Sequence, residues 1–101
     1  MKTSNNEKEL LILHTKYKLK QITDIYSELL KIRDGLEKYA CSVRNSLQIF
    51  SGEMELYCSI NIDKEVESLS NLLSEGIDKS NWDKVNKIVL VFYEKIFSYC
   101  A

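Results

Sequence analysis

The sequence predicts an all-α protein: a long N-terminal helix with heptad character and two shorter C-terminal helices, folded as a helical hairpin or a three- or four-helix bundle. Three observations predict it. There is no proline and there are only three glycines in 101 residues, so the turns that a many-stranded β-fold needs are missing. A heptad repeat runs from residue 22 to residue 50. The final segment, NWDKVNKIVLVFYEKIFSYCA, is apolar over a wide helical arc. The length fits a single domain, residues 1–101, with a real but modest core.

Residues 1–6 are polar, and a frayed start is expected, with Ser4, Asn5 or Asn6 as a helix cap. Leu10, Leu13 and Tyr17 then make a stripe at helical spacing, with Leu11 beside it. From residue 22 the repeat is regular. Ile22, Leu29, Leu36, Val43 and Phe50 sit seven apart, with Ile25, Ile32 and Tyr39 between them; Ser46 breaks the apolar set. The 3–4 spacing keeps these side chains on one helix face. Tyr26, Ala40 and Leu47 widen the face beyond a two-stranded seam, which favours a bundle. The phase before residue 22 is less clean, and a small phase shift near residues 18–20 is an expectation it allows.

Asp34-Gly35 is a turn signal. The heptad phase nevertheless passes through Gly35 unchanged, so one helix to about residue 50 is expected, kinked at Gly35. Two helices split there are the alternative. Residues 51–63 read as a connection: Met54, Leu56, Cys58, Ile60 and Ile62 alternate as in a strand, while Leu47, Phe50, Met54 and Tyr57 prolong the helical stripe. Asp63 is placed to cap a short helix with Val66, Leu69, Leu72 and Leu73 on its inner face and Gly76 at its end. Ser80 or Asn81 opens the last helix. There, Ile88, Tyr99, Phe92, Val85, Ile96, Val89, Trp82, Cys100, Tyr93, Phe97 and Leu90 fall in an arc of about 200°, against the roughly 100° stripe of a helix lying on one core. Such a helix needs at least two neighbours.

Formal net charge is −1, unevenly spread. Residues 1–20 carry Lys2, Lys8, Lys16, Lys18 and Lys20 against Glu7 and Glu9, and residues 53–78 are acidic. Such asymmetry steers partners or pairs copies antiparallel. Cys41, Cys58 and Cys100 are too scattered for a zinc pattern and read as reduced thiols of a cytoplasmic, intracellular protein. No apolar run is long enough for a signal-peptide core or a membrane span.

No catalytic, cofactor-binding or metal-ligating set emerges. His14 is the only histidine and has no Cys or Glu at ligand spacing. Gly-rich phosphate loops, nucleophile elbows and Cys-x-x-Cys pairs are absent. The expected function is therefore non-enzymatic. The chain reads as a small helical protein–protein interaction module (an adaptor, assembly subunit, chaperone-like or inhibitor/immunity-type protein), homo-oligomeric or bound to another protein. The expected helix seam is Leu29, Ile32, Leu36, Tyr39 and Val43; the expected contact face is Trp82, Phe92, Tyr93, Phe97 and Tyr99. The alternative is a nucleic-acid-binding regulator using Lys16, Lys18, Lys20, Arg33 and Arg44. So few cations on a slightly acidic chain make nucleic acid the weaker partner.

Overall fold

The computed structural model describes residues 2–100, with side chains from residue 7 to residue 99. Four α-helices follow one another: α1 (Lys2–Arg33), α2 (Ala40–Cys58), α3 (Asp63–Glu75) and α4 (Trp82–Cys100). A one-turn 3₁₀ helix, Glu37–Tyr39, leads into α2. The described residues contain no strand. Helices α1 and α3 lie on opposite sides of the bundle, and each packs against α2 and α4.

Cross-links fix the directions. Lys18 and Gln21 of α1 reach Glu53 of α2. Arg44 and Ser51 of α2 bond Ser74 and Asp63 of α3. Lys95 of α4 bonds Glu65 of α3, and Tyr26 of α1 donates to Asn86 of α4. Each neighbouring pair is therefore antiparallel. One cluster of buried side chains joins all four helices: Ile22, Ile25, Leu29 and Ile32 from α1, Val43, Leu47, Phe50 and Met54 from α2, Leu69 and Leu72 from α3, and Val85, Val89, Phe92 and Ile96 from α4. At its centre the Phe50 and Phe92 rings meet edge to face, 5.6 Å apart.

The single long helix expected to residue 50 is not formed; the chain turns back at Gly35. The Gly35 N–H donates to the Ile32 carbonyl (3.0 Å) and the Leu36 N–H to the Lys31 carbonyl (2.9 Å). This doubly bonded stop requires a residue at positive φ, and Gly35 sits at +97°. The heptad count survives because the six-residue turn, 34–39, leaves Ile32 and Val43 on the inner faces of two antiparallel helices. Leu36 is exposed and Tyr39 half-buried, as turn residues.

Three smaller expectations change. The α1 helix already includes residues 2–6, so it starts before the expected cap at Ser4, Asn5 or Asn6, whose side chains, with Met1 and Ala101, lie outside the described residues. The connection shrinks from 51–63 to 59–62, because Met54, Cys58 and Ile62 are buried at four-residue spacing while Leu56 is 72% exposed. Helical periodicity overrides the alternation. Asp63 is the first residue of α3 and not its cap; its N–H is bonded by Asn61 Oδ1 (2.9 Å). Gly76 ends α3 at φ +98°, as its position predicted.

Before α4, Asp78 Oδ1 accepts from the N–H groups of Ser80 and Asn81 and from the Ser80 hydroxyl. These bonds, the Ser80 hydroxyl foremost, hold the Asp78 carboxyl below its ordinary pKa. The Asn81 carbonyl accepts the first backbone bonds of α4, while its side chain ties the loop back to the Gly76 carbonyl.

Candidate interaction surface

At 1.5 Å per residue α1 is ~48 Å long, and α2 and α4 are ~28 Å each. Their contacts locate the mismatch. Arg33 stacks over Trp82 (5.0 Å), and Thr23 and Tyr93 share a hydrogen bond (3.0 Å). His14 meets Tyr57, next to the last residue of α2, at 5.8 Å. The first three turns of α1 thus run past the bundle, and with this overhang the molecule measures 52 × 20 × 19 Å.

The bundle end beneath this overhang is closed by polar groups. Lys18 occupies the inward position of α1, one turn before Ile22, with its side chain 2% exposed. Its ammonium donates to Gln21 Oε1 (3.1 Å) and pairs with Glu53, which also accepts from Gln21. The Tyr17 and Tyr57 rings lie 5.0 and 5.9 Å from it, within cation–π reach. Thr15, one turn earlier, is buried and satisfies its hydroxyl on the Leu11 carbonyl (2.8 Å). The helix shows no phase shift here; the inward face simply changes from apolar to polar. Cys58 is buried nearby, and burial pushes its thiol pKa up, against the opposing pull of Lys18 and Tyr99.

The apolar stripe therefore lies on another face. Leu10, Leu13 and Tyr17 are 55%, 62% and 53% exposed, and at about 100° per residue they span only about 60° of the helix. Ile12 is exposed on a different side. Tyr17 shares a surface depression of about 270 Å³ with His14, Lys18, Glu53 and Tyr57. The stripe therefore continues onto α2, where Tyr57 is also exposed. A contiguous apolar area of this kind on a small chain marks a contact surface or an aggregation hazard.

The residues expected to make contacts are divided by the fold. Leu29, Ile32, Val43 and Phe92 are buried in the chain's own core and offer no surface to another chain. Tyr39, Trp82, Tyr93 and Tyr99 are half-buried against that core. Trp82 stacks near Tyr26. Leu36 and Phe97 stay exposed. The wide arc of α4 is mostly consumed by α1, α2 and α3, and its far edge, Leu90 and Phe97, is what remains outside; the side chain of Cys100 lies outside the described residues. The five cations do not form one patch. Lys18 is buried against Glu53, Arg33 pairs with Asp34, and Arg44 bonds Ser74 on the far side of α2.

Sequence reasoning grouped Tyr57 with the stripe of Leu47, Phe50 and Met54, which are buried while Tyr57 is exposed, and it passed over Ile49 and the Lys18–Glu53 pair. Extending the seam back from Ile22 by four residues lands on Lys18, the signal that could have found the pair. No group of three or more potential metal-ligating side chains occurs among the described residues, and no described helix is long and apolar enough to cross a membrane. Comparison of the chain with protein-family models, curated proteins and solved structures returns no match.

Proposed function

We propose that the protein is a non-enzymatic helical interaction module whose working surface is the N-terminal half of α1 together with the adjoining end of α2. One observation carries this reading: α1 overruns its neighbours, and Leu10 on the overhang is continuous with Leu13 and Tyr17 at the bundle's edge, all three more than half exposed. An isolated helix of three turns is marginal in water, so such a segment gains most of its order from whatever covers it. The mechanism is burial of apolar area, with the flanking charges setting orientation. Adaptors, assembly subunits, chaperone-like and inhibitor proteins act in this way.

A photoreactive amino acid placed at position 13, and at the exposed α2 position Gln48 as a control, tests the reading in the source cell. Specific adducts at 13 and none at 48 are expected. Their mass reports whether the partner is a second copy or a different protein. Absence of any adduct at 13 would sink the proposal.

A further inference from the structure

The exposed stripe has a chemistry that selects a partner. Glu9 and Lys16 are both exposed, and neither forms an ion pair among the described residues. Seven residues apart, they project within about 20° of one another, on the Leu13 side of the stripe. They carry opposite charges and sit on either side of position 12.5. A two-fold axis through that point, perpendicular to α1, maps residue i opposite residue 25 − i of a second copy. Glu9 then faces Lys16, and Lys16 faces Glu9. The two-fold makes every contact occur twice.

We propose that the N-terminal halves of two α1 helices pair antiparallel about a two-fold axis between residues 12 and 13, forming a homodimer; this rests on the interaction-module reading above and names its partner. In this register Leu13 lies beside the axis. Leu10 stands opposite position 15, in the gap between Leu13 and Tyr17 of the second copy, as a knob enters a hole. The same-flank contacts of antiparallel helices bring the Glu9 and Lys16 flanks together. A parallel pair would instead lay this flank against the opposite flank of the second copy, and Glu9 and Lys16 would not meet.

Length supports the same occupant. In this register residues 2–12 of each copy lie against residues 13–23 of the other, so each overhang runs past residue 20 of its partner. There it reaches the groove between α1 and α2 lined by Gln21, Asp24, Ile25, Glu28, Ser46 and Ile49. Ile49 is 58% exposed and gains cover. This extension adds area to a two-helix contact that would otherwise fall short of the roughly 800 Å² per partner of a stable interface.

The test is molar mass by light scattering over a dilution series of the full chain. The wild type is expected to give a dimer that dissociates on dilution. Glu9→Lys and Lys16→Glu each create two like-charge contacts per dimer and should each raise the dissociation constant by about tenfold. The double variant Glu9→Lys/Lys16→Glu restores both pairs and should return to within about threefold of the wild type by the same logic. Circular dichroism melts taken at concentrations low enough for every variant to be monomeric, and expected to coincide there, keep folding out of the comparison. A monomer at every concentration would overturn the self-pairing. So would a dimer indifferent to the single changes, or a double variant no better than the singles. If position 13 still captures a different protein while the pure chain stays monomeric, the module reading survives and the two-fold does not.

Discussion

Lys18 and Glu53 form an ion pair in which the two partners are buried unequally: the lysine side chain is 2% exposed, the glutamate 25%. The inequality makes the two halves of the pair differently replaceable. Removing the glutamate charge leaves an ammonium inside the bundle with only Gln21 and ring faces for company. Removing the lysine leaves a carboxylate that water already reaches.

Glu53→Gln is therefore expected to cost more stability than Lys18→Met. The first approaches the ~3 kcal/mol typical of an orphaned buried charge, while the second loses about 1 kcal/mol or less, because the methionine fills the same apolar space. Denaturant unfolding of both variants at neutral pH measures the difference. Equal losses would contradict the asymmetry.

Two glycines should respond in opposite directions to the same substitution. Gly35 holds φ +97° with open space where a Cβ would stand. Gly35→Ala should cost about 1–2 kcal/mol through backbone strain alone. Gly52 lies inside α2, also with open space around it. Gly52→Ala should stabilise by about 0.5–1 kcal/mol, since glycine is the poorer helix former. Thermal melts would reveal the opposed signs.

Glu65 gives a pH-dependent prediction. Burial opposes its ionisation, but the Lys95 ammonium, bonded at 2.9 Å, and nearby charge outweigh that and lower its pKa. A carboxyl with a depressed folded pKa stabilises the fold above its unfolded pKa and loses that contribution as pH falls through the folded value. Lys95→Met should cost about 0.5–1 kcal/mol at pH 7, as for a partly solvated pair. The deficit should fade on acidification below the ordinary carboxylate range. A pH-independent difference would assign the loss to packing instead.

The thiols should separate by reactivity. Cys41 is exposed and Cys58 buried, and burial raises the Cys58 pKa. Alkylation followed by peptide mapping at pH 8 should label Cys41 promptly and Cys58 only as the protein unfolds. The linkage runs the other way from that of Glu65. A raised thiol pKa favours the native state below the unfolded pKa, and that contribution disappears as pH rises through the folded value.

The inner faces of all four helices were readable because each is written in one residue period: Ile22 to Ile32, Val43 to Phe50, Val66 to Leu73 and Val85 to Ile96. The turn at Gly35 was misread because its length preserves the heptad count, and spacing alone cannot tell a kinked helix from a hairpin with an in-phase turn. Which apolar residues stay at the surface was only half readable. An apolar side chain such as Phe92 looks alike whether a neighbour within the chain or outside it covers it, and only tertiary burial separates the two. Leu10, Leu13 and Tyr17 were visible as a stripe. Their exposure depends on where α2 and α4 stop.

The length of α1 also governs how the molecule moves through solvent. Its radius of gyration, 14.8 Å, exceeds the ~13 Å of a compact chain of this size. Even a lone copy should drag like a heavier sphere, and a sizing column would overstate its mass. Tumbling would be anisotropic as well. The amide N–H vectors of antiparallel helices lie along the long axis and sense the slow end-over-end rotation. Transverse 15N relaxation should therefore be uniformly fast in the helices and slower in the turns at 34–39 and 59–62, a pattern set by shape before any partner arrives.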